Sequence, residues 1–425
     1  MKAVNYYIAA CYVILDSKPT NGEERIESRV IIKPRTRGFI CTTAHPSGCA
    51  RQVQEQIEYI QAQPAVQGPR NVLVIGASTG YGLASRIAAA FGAGAATVGV
   101  YRPSTASDTR TASAGWYNSA AFEQSALAAG LRSFSVCGDA FAQETKDRTI
   151  ELIRRELGRV DLVIYSVATA RRTDPVSGEV YNSVLKPIGH SFTNKTVNFH
   201  TGEVSQVTIG PAMESEVEDT VHVMGGEDWQ LWIDSLRDAG VLADDAMTLA
   251  FSYIGPELTQ EIYRKGSIGR AKDHLEATAR QLNEQLSAGG GRAYVVVSKG
   301  LVTQSSSALP VVPLYTSLLY KVMKQQGLHE GCIEQAYRLF TERLYSSEGT
   351  PVDEEGRIRI DDWELKHSVQ AEVDRLWPLI TTENIYELSD LVSYRQEFFQ
   401  LFGFETDGVD YDTDSAPSVS IPNQF

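Results

Sequence analysis

The stretch Val72-Leu73-Val74-Ile75-Gly76-Ala77-Ser78-Thr79-Gly80-Tyr81-Gly82-Leu83-Ala84 constrains the fold more than any other part of the chain. Four apolar residues run into glycines spaced G-x3-G-x-G, and small residues at helical spacing follow through Phe91. The pattern predicts a strand that turns directly into a helix. Such a turn leaves backbone N–H groups unpaired at the helix start, where the helix dipole is positive. Glycines let the backbone approach a ligand and let the helix pack close to the sheet. A pyrophosphate suits that environment, so Gly76, Ala77, Ser78, Thr79, Gly80 and Tyr81 are read as a dinucleotide-binding turn.

The same glycines suit a tight turn without a ligand, so the flanking pattern matters. Further apolar runs follow at residues 95–101, 133–137 and 160–165, with a charged helical stretch at 145–157 between the last two. Strands alternating with helices predict an α/β fold with a doubly wound, mostly parallel sheet. No Pro/Gly/Ser-rich linker divides the chain of 425 residues, which favours one elaborated domain.

Composition narrows the partners. With a net charge of −14, the chain is a poor candidate for binding nucleic acid or an anionic membrane. No apolar run approaches the roughly 18 residues of a membrane span. Five scattered cysteines make no disulfide framework and point to a reducing, cytoplasmic setting. Cys41, His45 and Cys49 lack a second ligand pair and are read as packing around the Pro46-Ser47-Gly48 turn, with no metal expected.

Residues 1–28 read as an N-terminal extension. Its apolar run, Tyr6 to Leu15, has one preceding lysine and no small-residue cleavage site after it, so no secretory signal is expected. Residues 29–404 read as the catalytic domain with substrate-binding insertions. The remainder, 405–425, carries Asp407, Asp410, Asp412 and Asp414 among Gly, Ser and Pro, and is expected to be a flexible tail.

Chemistry is sought opposite the dinucleotide turn. The segment Phe251-Ser252-Tyr253-Ile254-Gly255-Pro256-Glu257 leads to Tyr263-Arg264-Lys265-Gly266-Ser267-Ile268-Gly269-Arg270-Ala271-Lys272. A tyrosine can hydrogen-bond an oxygen that becomes anionic during reduction, and a lysine can grip ribose and favour a usable phenol pKa. On one straight helix Tyr263 and Lys272 would stand about two and a half turns apart, on opposite faces. Gly266 and Gly269 permit a bend that brings them together, with Ser267 as cap of a helix running to about residue 286.

Tyr-x8-Lys within SYIGPELT…Y…GSIGRAK, together with GASTGYGLA upstream, resembles the trans-2-enoyl reductase family, whose members act on enoyl-CoA or enoyl-acyl carrier protein. The likeness extends to Lys33-Pro34-Arg35, Gly115-Trp116-Tyr117-Asn118, Arg171-Arg172-Thr173-Asp174-Pro175 and Pro310-Val311-Val312-Pro313-Leu314-Tyr315. It covers residues 30–404. The resemblance implies an enlarged, short-chain-dehydrogenase-like, Rossmann-type single domain, expected to be monomeric. It implies Tyr263 as proton donor, Lys272 as cofactor-binding partner and Tyr253 as substrate contact. Asp139 and Ala140 would meet adenine, while Val167, Ala168, Leu301, Val302 and Thr303 would line ribose and nicotinamide. Each follows the carboxyl end of an apolar run, where open α/β sheets bind ligands.

The implied reaction adds hydride to C3 of a trans-2-enoyl thioester, with Tyr263 stabilising the enolate and supplying the proton. A ketoreductase or sugar dehydrogenase is the enzymatic rival, disfavoured because those enzymes usually place three residues between Tyr and Lys. A catalytically silent dinucleotide-binding regulator is the other. In the family the second strand usually ends in an acid that selects NADH; here the tip reads Val100-Tyr101-Arg102-Pro103-Ser104. A guanidinium can pair with a 2′-phosphate, so Arg102 predicts a preference for NADPH, with NADH as the alternative. Arg171, Arg172, Arg264, Lys265 and Arg270 are candidates for a basic patch facing an acidic carrier protein or the phosphates of coenzyme A.

Overall fold

Seven parallel strands form the sheet on which everything else is arranged: β1 Asn71–Ile75, β2 Ala96–Tyr101, β3 Ser133–Cys137, β4 Val160–Tyr165, β5 Leu242–Ser252, β6 Arg292–Val297 and β7 Ile358–Arg359. The computed structural model describes residues 30–102, 104–107 and 109–425, so the N-terminal extension predicted at 1–28 lies outside the described residues. Spatial order is β7-β6-β5-β4-β1-β2-β3. The chain winds outward from β1 to β3, then returns to lay β4 on the other side of β1. This reversal makes a crevice above the carboxyl ends of β1 and β4, where doubly wound sheets hold dinucleotides.

Alternation along each strand decides which helix covers which face. Val72, Val74, Leu162 and Ile164 pack under α2 (Gly80–Ile87), α3 (Ala114–Ala128) and α8 (Cys332–Arg338). Leu73, Ile75, Val163 and Tyr165 face the other way, against α4 (Gln143–Glu156), α5 (Glu227–Asp238) and α6 (Ser267–Leu286). A separate apolar cluster joins α7 (Val312–Gln325), α9 (His367–Leu376) and α10 (Leu391–Gln400) beside the strand tips. His45, read from the sequence as packing, caps α1 (Pro46–Gln61) by accepting from the Gly48 N–H at 3.3 Å.

The C-terminal segment departs from the expected flexible tail. Ser135 of β3 exchanges hydrogen bonds with it, donating to the Asn423 carbonyl at 3.0 Å and accepting from Phe425 N–H at 2.8 Å. Trp116 Nε1 donates to the Val419 carbonyl at 2.7 Å, the Tyr117 hydroxyl to the Pro417 carbonyl at 2.6 Å, and Ile421 is buried. The physical reason is the sheet edge: among the described residues β3 has no strand neighbour beyond it, and its backbone groups take this segment as a partner. The acids up to Asp414, and the Ser, Pro, Asn and Gln residues among which Val419, Ile421 and Phe425 stand, hid that apolar role.

Candidate active site

The glycine turn has the shape its sequence predicts. Gly76 has φ +88°, and a Cβ there would collide with the Ser166 carbonyl beyond β4; at Gly82 it would collide with the Gly76 carbonyl. Only glycine allows this close approach of turn, helix and neighbouring strand. Thr79 precedes α2 in extended conformation and makes no side-chain cap, so the first N–H groups of the helix have no side-chain acceptor. Asn118 Nδ2 fixes the loop by donating to the Ser78 carbonyl at 3.1 Å. These features fit the pyrophosphate of a dinucleotide.

Above the turn lies a cleft of about 760 Å³. Thr79, Gly80, Tyr81, Ala168, Tyr253, Tyr263, Lys272 and residues 301–303 all line it. Tyr263 sits in the turn just before α6 and Lys272 in that helix. The glycines explain how both come to line one cleft: a Cβ at Gly269 would collide with the Arg264 carbonyl, and one at Gly266 would crowd the Ile262 carbonyl. The chain therefore folds back onto residues 262–264 as it enters the helix. Gly266 takes the cap position instead of Ser267, whose hydroxyl donates to the Val184 carbonyl at 2.6 Å.

Burial dominates the electrostatics here. It pushes the Tyr263 phenol well above its ordinary range, with Tyr394 and Glu364 adding to the effect. The sequence suggested that lysine would make the phenol easier to ionise; desolvation outweighs any such help, and the phenol stays protonated. Desolvation also brings the Lys272 ammonium down to about 8, against the charge of Glu276. The Tyr253 and Tyr263 rings meet edge to face, with centroids 5.1 Å apart.

Other predicted residues are placed as follows. Thr303 Oγ1 accepts from Ser306 N–H at 3.0 Å as cap of the short helix Gln304–Ser307. The Ala140 carbonyl accepts from Lys146 Nζ at 2.9 Å and Trp232 Nε1 at 3.0 Å. Arg102 pairs with Asp139 at 2.9 Å, so an acid reaches the tip of β2 after all, from the end of β3. Three of the candidates for the basic patch are paired with acids. Arg172 is buried and paired with Glu227 at 2.8 Å, Arg264 with Asp273 at 2.6 Å and Lys265 with Glu261 at 2.8 Å.

Two functional groups escaped the sequence reading. Lys299, buried just beyond β6, stands 4.6 Å over the Tyr320 ring, its ammonium lowered to about 8 by burial. Glu364, fully buried, accepts from the Tyr253 hydroxyl at 3.0 Å. No local motif announces either one, because their partners are distant in sequence. Among the described residues no group of three His, Cys, Asp or Glu side chains is placed to hold a metal, and no helix is long and apolar enough to cross a membrane.

Fold and cleft together define a nicotinamide-dependent α/β oxidoreductase. The family model described as the trans-2-enoyl-CoA reductase catalytic region matches residues 110–345, and that for the NAD(P)H binding domain of trans-2-enoyl-CoA reductase matches 31–108. The chain belongs to the trans-2-enoyl-CoA reductase family. It is 59% identical over 392 residues to the enoyl-[acyl-carrier-protein] reductase [NADH] of Flavobacterium johnsoniae, covering 92% of this chain and 99% of that one. It is 59% identical over 397 residues to the like-named protein of Coxiella burnetii (strain Dugway 5J108-111), covering 93% and 98%.

Among solved structures, the trans-2-enoyl-CoA reductase of Clostridium acetobutulicum in complex with NADH superposes with a TM-score of 0.89 at 45% identity, over 91% of this chain and 98% of that one. The Treponema denticola enzyme in complex with NAD gives 0.88 at 49% identity, over 92% and 100%. These names lend no support to the NADPH preference predicted from Arg102.

A third model, described as an enoyl reductase FAD binding domain, matches residues 352–415. The residues there do not fit a flavin dinucleotide. The N-terminus of α10 is already taken by the Asp390 carboxylate, which accepts from Ser393 N–H at 3.4 Å. Only Glu397, Gln400, Leu401 and Phe402 of this segment reach the cleft, and burial pushes the Glu397 carboxyl up.

Proposed function

We propose that the chain reduces the C2=C3 bond of trans-2-enoyl thioesters, with Tyr263 and Lys272 as its central side chains. The observation that carries the reading is one cleft lined both by the uncapped glycine turn and by this pair. A bound nicotinamide supplies hydride to the electrophilic C3. The chain's own residues handle the charge and the proton. Negative charge gathers on the thioester oxygen, and the protonated Tyr263 phenol donates a hydrogen bond to it and supplies the proton at C2. Lys272 holds the ribose and keeps the site positive while its ammonium is charged. Gly76, Ala77, Ser78, Thr79, Gly80 and Tyr81 cradle the pyrophosphate, Asp139 and Ala140 meet adenine, and Val167, Ala168, Leu301, Val302 and Thr303 border the nicotinamide. Tyr253 contacts the substrate.

We assign NADH as the cofactor and acyl-carrier protein as the acyl carrier. The relatives at 59% identity are named for both, and the Asp139 carboxylate beside Arg102 would repel a 2′-phosphate. Action as a cytoplasmic monomer completes the reading. The test is a rate matrix of crotonyl-CoA, longer enoyl-CoAs and enoyl-acyl carrier protein against NADH and NADPH. The highest kcat/KM is expected with NADH and the carrier-bound substrate. Absence of turnover with every thioester defeats the reductase reading, and a higher value with NADPH returns Arg102 to its sequence-predicted role.

A further inference from the structure

Three donors converge on the buried carboxylate of Glu364, between β7 and α9. The hydroxyls of Tyr253 and Tyr315 reach Oε1 at 3.0 and 2.7 Å, and the Gly300 N–H reaches Oε2 at 2.6 Å. They come from three separate elements: the segment after β5, helix α7 and the loop after β6. Gln370 on α9 braces the arrangement, its Nε2 donating to the Tyr315 hydroxyl at 3.2 Å and to the Glu364 carbonyl at 2.6 Å. A side chain at Gly255 or Gly300 would press on the Tyr253 hydroxyl, so both glycines leave that phenol its place.

Three donors around one carboxylate suit its ionised, acceptor-only form. A phenol has a single proton. With that proton committed to Glu364, Tyr253 meets the rest of the cleft only through its oxygen lone pairs. Tyr263, whose ring stands 5.1 Å away, keeps its proton for donation.

We propose that Glu364 is a positioning residue for the reduction, holding Tyr253 as a hydrogen-bond acceptor and so leaving the donor role to Tyr263. The inference rests on the reductase reading above and adds what kind of contact Tyr253 makes: it takes an N–H or O–H from its partner and gives none. Charged and titratable groups facing Glu364 are Tyr253, Tyr263, Tyr315, Tyr81, Lys299 and Asp361. Burial and the Asp361 charge push its carboxyl up, against the bonds from Tyr315 and Gly300 and the charge of Lys299. Acidification protonates it above the usual carboxylate range, and the neutral carboxyl, a weaker acceptor without charge assistance, loosens its hold on the two phenols as donors. Activity therefore falls on the acid side.

The test uses the full chain with its best thioester substrate. Glu364→Gln is expected to lower kcat about 10- to 100-fold, the effect of losing a charge-assisted hydrogen bond, while NADH binding is kept. Its kcat–pH profile is expected to lose the acid limb seen in the wild type. Tyr315→Phe keeps the carboxylate but removes one donor, so its acid limb is expected at higher pH than in the wild type. Wild-type kcat in Glu364→Gln, or an acid limb unmoved in both variants, overturns the proposal. If Glu364→Gln fails to fold, the Tyr315→Phe profile decides alone. Wild-type turnover measured alongside keeps the two readings separate, since its absence defeats the reductase reading itself.

Discussion

A phenol held above its ordinary range by burial, as Tyr263 is, stays protonated throughout the pH range of most assays. That state suits a donor to an oxygen gaining negative charge. Tyr263→Phe removes the donor and little volume, so kcat is expected to fall by roughly 10² to 10³, the usual loss on removing such a donor. NADH affinity, followed by fluorescence titration, is expected to persist; near-normal turnover would take Tyr263 out of the chemistry. Lys272 brings a pH limb on the basic side. Its ammonium is lowered to about 8, so the charged form is present below that pH and lost above it. The kcat/KM profile is accordingly expected to decline on the basic side near pH 8. Lys299 is lowered to about 8 as well. Lys272→Arg separates the two, because a guanidinium keeps its charge and moves the limb out of range only if Lys272 is its source.

At the scale of elements, legibility followed the range of the interactions. The strand runs 72–75, 95–101, 133–137 and 160–165 are recovered to within a residue as β1 to β4, because a buried parallel strand needs a continuous apolar run. The bend between Tyr263 and Lys272 was also readable, since Gly266 and Gly269 sit where side chains would collide with the preceding carbonyls. Glu364 was not readable, as Tyr253, Gly300 and Tyr315 reach it from other elements. The glycine turn offers a test at this scale. Gly82→Val places branched carbon against the Gly76 carbonyl, which forces α2 away from the turn. The far-UV circular dichroism is expected to survive while the Kd for NADH rises at least about tenfold, consistent with overpacking costs of roughly 1–3 kcal/mol. Unchanged NADH affinity would show that the turn does not hold the pyrophosphate.

At the scale of the molecule, winding outward from β1 leaves β3 as the last strand on its side of the sheet among the described residues. An open edge of this kind is a template for pairing with another chain. The protein covers it with its own C-terminal residues: Asn423 and Phe425 exchange backbone hydrogen bonds with Ser135, Ile421 is buried, and the Arg155 guanidinium lies 4.9 Å over the Phe425 ring. Val30 pairs with Ser415, tying the start of the described chain to the same segment. Asp412, one of the acidic residues that suggested a free end, instead pairs with Lys33 at 2.6 Å. Deleting residues 416–425 leaves the cleft intact but uncovers both the β3 edge and the apolar ground beneath Ile421. The melting temperature is expected to drop by at least about 2 °C, since a few hydrogen bonds and a buried side chain amount to one or more kcal/mol. Light scattering is expected to report self-association that grows with protein concentration. A truncated chain that melts with the full-length protein and remains monodisperse would mean that this segment rests on the edge without protecting it.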